Sequence, residues 1–178
     1  MSDEQQHILI HEVGHAIVAE EMGFPVTWMS LTPRGSSLGR VLHLQPAEPD
    51  CFDAAQLLNL ALAGLAAEQL VFGAWLEDSA HYLYDWVDSD EHLSLLGIDP
   101  TDQEATCAVK AEAIFRLQRL LAARWPELLA LVGALKERPS LRGHEVRTLM
   151  RHARYGRPKA QEQRAWAACQ ALLPTEGA

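Results

Sequence analysis

The run His11-Glu12-Val13-Gly14-His15 constrains this 178-residue chain more than any other feature. It lies within residues 4 to 22, where Ile8, His11, His15, Val18 and Met22 recur at the three- and four-residue spacings of a helix, and Gly23-Phe24-Pro25 stops the pattern. Residues four apart on a helix lie about 40° apart in projection and roughly 6 Å along the axis, so two imidazoles can converge on one ion. Glu12 is turned away from that line. It is suited to hold and deprotonate a zinc-bound water rather than to bind the metal itself. With 8 His and 15 Glu in the chain, the pattern arises by chance in roughly 3% of such sequences. Either histidine alone reads as a core residue, whereas the pair around a glutamate predicts a zinc site of catalytic type. Gly14, at a mid-helix cost of about 1 kcal/mol relative to Ala, calls for the close approach of another strand or of a substrate.

Val26 to Thr32 alternates with β-branched and aromatic residues and is closed by Pro33-Arg34-Gly35; Gly39 to Leu44 reads as its antiparallel partner. From Asp53 to Phe72 the sequence is nearly all Ala, Leu and Gln, predicting one buried helix against the first, with Gly73 as its cap. Residues 74 to 100 show no long period and predict a loop plus a short helix from Asp90 to Leu96. Thr101 or Asp102 can cap a long helix to Arg124, Pro126 opens another to Glu137, and helices over 143–154 and 158–173 follow. The expectation is a mainly α (α+β) fold, residues 1–178 forming a single domain with a small antiparallel sheet.

An apolar content of 48% is enough for one sizeable core. No run approaches the roughly 20 apolar residues that span a bilayer, and no secretory leader is evident. Cys51, Cys107 and Cys169 form no Cys-x-x-Cys pair, so neither a disulfide framework nor a thiolate zinc site is expected, and a reduced cytoplasmic setting is. Charge is divided along the chain: residues 1 to 109 hold 2 basic against 18 acidic residues, residues 110 to 178 hold 13 against 6. The plain reading is mutual attraction of the two halves within one fold. Arg147, Arg151 and Arg154 share a helical face but lack an aromatic platform or a nucleic-acid motif, so no nucleic-acid partner is expected.

His11-Glu12-Val13-Gly14-His15-Ala16, followed by Gly23-Phe24-Pro25-Val26, Pro33-Arg34-Gly35 and Leu38-Gly39, resembles the peptidase domain of the FtsH-type AAA+ zinc proteases, peptidase family M41. Ala63-Gly64-Leu65-Ala66-Ala67-Glu68-Gln69-Leu70-Val71-Phe72-Gly73 is similar to that family's second helix, and Leu141 to Val146 to its closing segment. The resemblance implies a helical zincin-like peptidase domain, a Zn2+ cofactor and peptides or unfolded proteins as substrates. It also implies an aspartate as third ligand, following the second helix and opening a later one. Among Asp85, Asp88, Asp90 and Asp102, Asp90 is the choice, because Ser89-Asp90 precedes Glu91 to Leu96 at an expected helix start. Asp102 stands one position from the family's register. Glu68 would suit a two-His, one-Glu site, but its position in the family's second helix implies a structural role. His81 and His92 read as surface residues.

The family's ATPase module has no counterpart here, since no Gly-x-x-x-x-Gly-Lys-[Ser/Thr] occurs in the chain. The expectation is therefore a stand-alone, ATP-independent zinc endopeptidase with metal ligands His11, His15 and Asp90 and Glu12 as general base. Its substrate would be short, already unfolded, or delivered by an ATPase partner in trans, and would add as a strand to the edge of 26–32 or 41–44. The alternative is a catalytically silent, peptidase-like metal-binding or protein-interaction module.

Overall fold

A computed structural model describes residues 1–33, 39–44, 53–73 and 80–156. The expected helix over 158–173, the turn at Arg34-Gly35, Cys51 and Cys169 lie outside the described residues. Helix α1 (Asp3–Glu21) begins at a capping box in which Ser2 and Gln5 exchange side-chain and backbone hydrogen bonds. Strands β1 (Val26–Ser30) and β2 (Arg40–His43) follow, then α2 (Ala54–Ala61), α3 (Ala63–Phe72) and α4 (Ala80–Leu95). The chain continues through α5 (Gln103–Ala123), α6 (Trp125–Glu137), β3 (Ser140–Arg142) and α7 (Gly143–Tyr155). The fold is mainly helical with a small antiparallel sheet, as the pattern of elements predicts.

Helix α1 is the centre of the molecule. Leu9, Val13, Ala16, Ile17, Val18 and Ala19 are fully buried, and their cluster continues through α3, α5 and α6 to Leu141 of β3 and Val146 of α7. Burying a side chain of Leu or Ile size contributes about 1.5–3 kcal/mol, so α1 is held by what surrounds it. Gly14 faces another helix rather than a strand: a Cβ there would lie 2.6 Å from Ala67 Cβ and 2.7 Å from the Ala63 carbonyl oxygen. Small residues on both sides let α1 and α3 meet almost backbone to backbone.

Three expectations need correction. The apolar stretch 53–72 is two helices bent by 43° and joined at Leu62. The bend lets α2 pack on α4 while α3 packs on α1 and α5. The short helix expected from Asp90 begins ten residues earlier, because the inward face of α4 carries Trp86, Ser89, Asp90 and Leu93. Polar residues stand at two of those four positions, which hides the helical period. Finally, β1 is the centre of a three-stranded sheet of order β2-β1-β3, with Met29 opposite both Val41 and Leu141. Both of its edges are taken, so only β2 and β3 present an outer edge among the described residues.

The opposed charges of the two halves do meet inside the fold. Arg124 pairs with Glu21 at 2.8 Å and Arg147 with Glu20 at 3.2 Å, and Arg154 joins Glu21 of the first half to Glu127 of its own half, the latter at 2.7 Å. No single described helix is long and apolar enough to cross a membrane.

Candidate metal centre

The spacing on α1 brings His11 and His15 together as the helical projection predicts: their ring centroids are 4.8 Å apart and the two Nε2 atoms 3.1 Å apart. The carboxylate that joins them is Asp85 of α4, with Oδ2 2.9 Å from His11 Nε2 and 3.0 Å from His15 Nε2. Asp90, the residue expected from sequence, is not in this cluster. It lies more than one turn further along α4 and pairs with the buried Lys110 Nζ at 2.7 Å. Asp88 lies 3.6 Å from His92 on the exposed side of α4, and Asp102 caps α5 by accepting from the Ala105 N–H. The third acidic position therefore comes from the middle of a helix, not from a helix start.

Each ring is held through its other nitrogen. His15 Nδ1 donates to the Leu60 carbonyl at 2.9 Å, one of the last-turn acceptors that the end of α2 leaves to outside partners. His11 Nδ1 donates to Glu68 Oε1 of α3 at 2.7 Å. Since a carbonyl and an ionised carboxylate only accept, both rings carry their proton on Nδ1 when neutral and turn Nε2 lone pairs inward. Glu68 thus holds the outer nitrogen of His11 and is not one of the three converging groups. Its other oxygen, Oε2, is 2.7 Å from His7 Nδ1. Sequence reasoning passed over His7, although His7, His11 and His15 are each four apart and share one face of α1.

Two imidazole lone pairs and a carboxylate oxygen, mutually 2.9–3.1 Å apart, are three acceptors facing one another. Such a set needs a cation at its centre, either a proton or a metal. The separations are within a few tenths of an ångström of the roughly 3.3 Å edges of a tetrahedron around zinc. The residues present therefore fit a zinc ion. In the metal-free protein burial opposes charge on His11, but the carboxylates of Asp85 and Glu68 outweigh it and raise the imidazole to about 10. Burial likewise opposes charge on Asp85, yet the two imidazoles hold its carboxyl well below the usual range.

Glu12 is 4% exposed and is not one of the three converging groups. Burial raises its carboxyl above the usual range, partly offset by His15 and His11. It packs on Gly39 at the start of β2, where a Cβ would lie 2.6 Å from Glu12 Cγ. Gly64 plays the same part for His11: a Cβ there would lie 2.4 Å from His11 Cε1, so only glycine leaves space for the ring. His11 is sealed at 2% exposure, while His15 at 17% and Asp85 at 19% open the cluster to solvent on one side.

The central helix thus offers two inward imidazoles and a neighbouring helix a carboxylate, a donor set that could hold a metal ion. The model for peptidase family M41 matches residues 1–81, a little under half of the chain. The chain is 41% identical over 76 residues to ATP-dependent zinc metalloprotease FtsH 1 of Methylacidiphilum infernorum, covering 39% of this chain and 12% of that protein. Identity is 26% over 178 residues to FtsH 2 of Symbiobacterium thermophilum, covering 83% of this chain and 30% of that protein. It is 28% over 164 residues to FTSH 9, chloroplastic/mitochondrial, of Oryza sativa, covering 76% and 20%. The chain spans less than a third of the length of these curated relatives.

Proposed function

We propose that the chain is a zinc-dependent endopeptidase acting on peptides or unfolded proteins, with His11, His15 and Asp85 as metal ligands and Glu12 as general base. The reading rests on one observation above all: three acceptor atoms converge on a common point, the two imidazoles each fixed from behind, with a second carboxylate, the buried Glu12, on the same helix as both histidines. A zinc ion there would supply Lewis acidity, lowering the pKa of a coordinated water toward about 7 and polarising a scissile carbonyl. Glu12 takes the proton of the attacking water and passes it to the leaving amine. A base works best with a pKa near the operating pH, and burial moves Glu12 in that direction. An extended substrate pairs with the outer edge of β2, which begins beside Glu12 and would aim the scissile bond at the cluster.

Hydrolysis of a peptide bond needs no ATP, so unfolding of a folded substrate is the work of machinery outside these residues. The exposed thiol of Cys107 suits a reducing compartment such as the cytoplasm. Glu12→Gln keeps the ligands and removes the base. Zinc content should stay at one per chain while cleavage of a casein-like unfolded chain falls by a factor of about 100 or more. Equal inactivity of both proteins across unfolded substrates, with zinc bound, would leave a metal-binding module in place of an enzyme.

A further inference from the structure

Beyond the three ligands and Glu12, α1 carries one more histidine on the same face, and its surroundings are more specific than a helix start requires. His7 donates from Nδ1 to Glu68 Oε2 at 2.7 Å, the same distance at which His11 Nδ1 donates to Oε1 of that carboxylate. The His7 ring lies flat on Phe72, with centroids 4.0 Å apart and planes 22° apart. Phe72 and Glu68 are four apart on α3, as His7 and His11 are on α1, so two rungs cross between the helices. Glu68 is 3% exposed, and burial disfavours its charge; the two imidazoles nevertheless hold it below the usual carboxylate range. With a donor on each oxygen, its plane is fixed.

We propose that His7 is a positioning residue for the metal centre: by clamping the second oxygen of Glu68, it fixes the first against His11 Nδ1 and so aims His11 Nε2 at the ion. The assignment rests on the metal reading of His11, His15 and Asp85. An outer partner acts on a metal by fixing the tautomer and direction of its ligand, and loss of such a partner typically costs 10–100-fold in affinity. His7 stands one link further out, so the lower end applies. Its charge is not the agent. A neutral donor at the Nδ1 position suffices, and Asn supplies one because its amide nitrogen occupies nearly the same place.

The test uses the 178-residue chain and cobalt(II), whose visible absorption reports the ligand field, with zinc affinity measured by competition against a chromophoric chelator. His7→Phe keeps a ring on Phe72 and removes the donor; His7→Asn keeps the donor and loses the ring. The expected result is about tenfold weaker zinc binding and an altered cobalt spectrum for His7→Phe, with His7→Asn within about twofold of wild type. Metal-free thermal unfolding shows that each variant folds cooperatively, with His7→Phe melting somewhat lower because the buried Glu68 loses one donor. Unchanged zinc affinity in His7→Phe would overturn the assignment, as would equal weakening in both variants, which would make the ring's packing the cause. A wild-type chain that binds neither zinc nor cobalt would instead overturn the metal reading itself, and with it this one.

Discussion

The two sides of the metal centre are built by different means. On the α1–α3 side, His11, Glu12 and His15 sit on one helix packed against small residues, and their placement follows from helical spacing and from the missing Cβ atoms of Gly14, Gly39 and Gly64. On the α4 side, a single carboxylate, 19% exposed, arrives on a helix whose inward face is interrupted by Ser89 and Asp90. The first side is fixed by close packing. The second adds to its packing on α2 a polar tether, the Lys110 ammonium, which donates to the Trp86 carbonyl at 2.8 Å, forms an ion pair with Asp90 at 2.7 Å and lies 4.0 Å from the Trp86 ring centroid. Close packing leaves few alternatives, whereas a polar tether holds a helix at one point and leaves its register to that point.

The sharpest way to break this contrast is to exchange the two aspartates' roles. Asp85→Ala should weaken zinc binding by more than the roughly 10–100-fold that outer partners cost, because it removes a ligand. Asp90→Ala should cost at most about tenfold. Chelator competition on both variants decides, and a larger loss in Asp90→Ala would return the ligand role to that residue. The next effect is on stability. His11 is raised from its ordinary 6.5 to about 10, so its protonated form contributes stability that is complete below pH 6.5 and lost as pH rises through about 10. Asp85 is depressed, so its contribution is present above the ordinary carboxylate range and lost only in acid. Metal-free protein should therefore lose stability, on the order of a few kcal/mol, between pH 6.5 and 10. Zinc takes the proton's place and should flatten that slope, and calorimetry in buffers of different ionisation enthalpy should find proton release on binding. The same slope in Asp85→Ala would mean that another group is titrating.

A smaller effect probes the packed side. Gly64→Ala sets a methyl against the His11 ring and should cost about 1–3 kcal/mol, with a displaced ring and weaker zinc binding. Full retention of affinity would mean that the α1–α3 contact can yield. That side was largely legible in the sequence: the spacing of His11 and His15 implied convergence, and Gly14 implied a close neighbour. Its tertiary partners were less so. Gly64 reads as an ordinary residue of an apolar helix until the ring above it is seen, and the break at Leu62 has no Gly or Pro to announce it. Asp85 stood among four candidates, and the choice fell on Asp90 because a helix start was inferred where α4 is already past its middle. Residues 84–93 mix exposed Tyr84 and Val87 with inward Ser89 and Asp90, so hydrophobic periodicity, the main signal for a helix, points nowhere. His7 was legible in spacing, but its role depends on Glu68, 61 residues away.

Lys110 offers the finest distinction between the two sides. It is fully buried on α5, and its cation meets α4 at Trp86, next to Asp85, and at Asp90. Lys110→Met keeps the volume and removes the charge. The Asp90 side chain is 36% exposed but the oxygen that meets the ammonium is buried, so the stability loss should be about 1–3 kcal/mol, below that of a fully sealed pair. Zinc affinity should fall a few-fold. The double variant Lys110→Met with Asp90→Leu removes the lone carboxylate and should recover stability, since an apolar pair often replaces a buried ion pair at no loss. It should not recover zinc affinity: two apolar side chains attract each other from many relative positions, while an ammonium shared between a carbonyl and a carboxylate accepts few. Recovery of both quantities together would show that α4 is placed by packing alone, and the difference between the two sides of the centre would disappear.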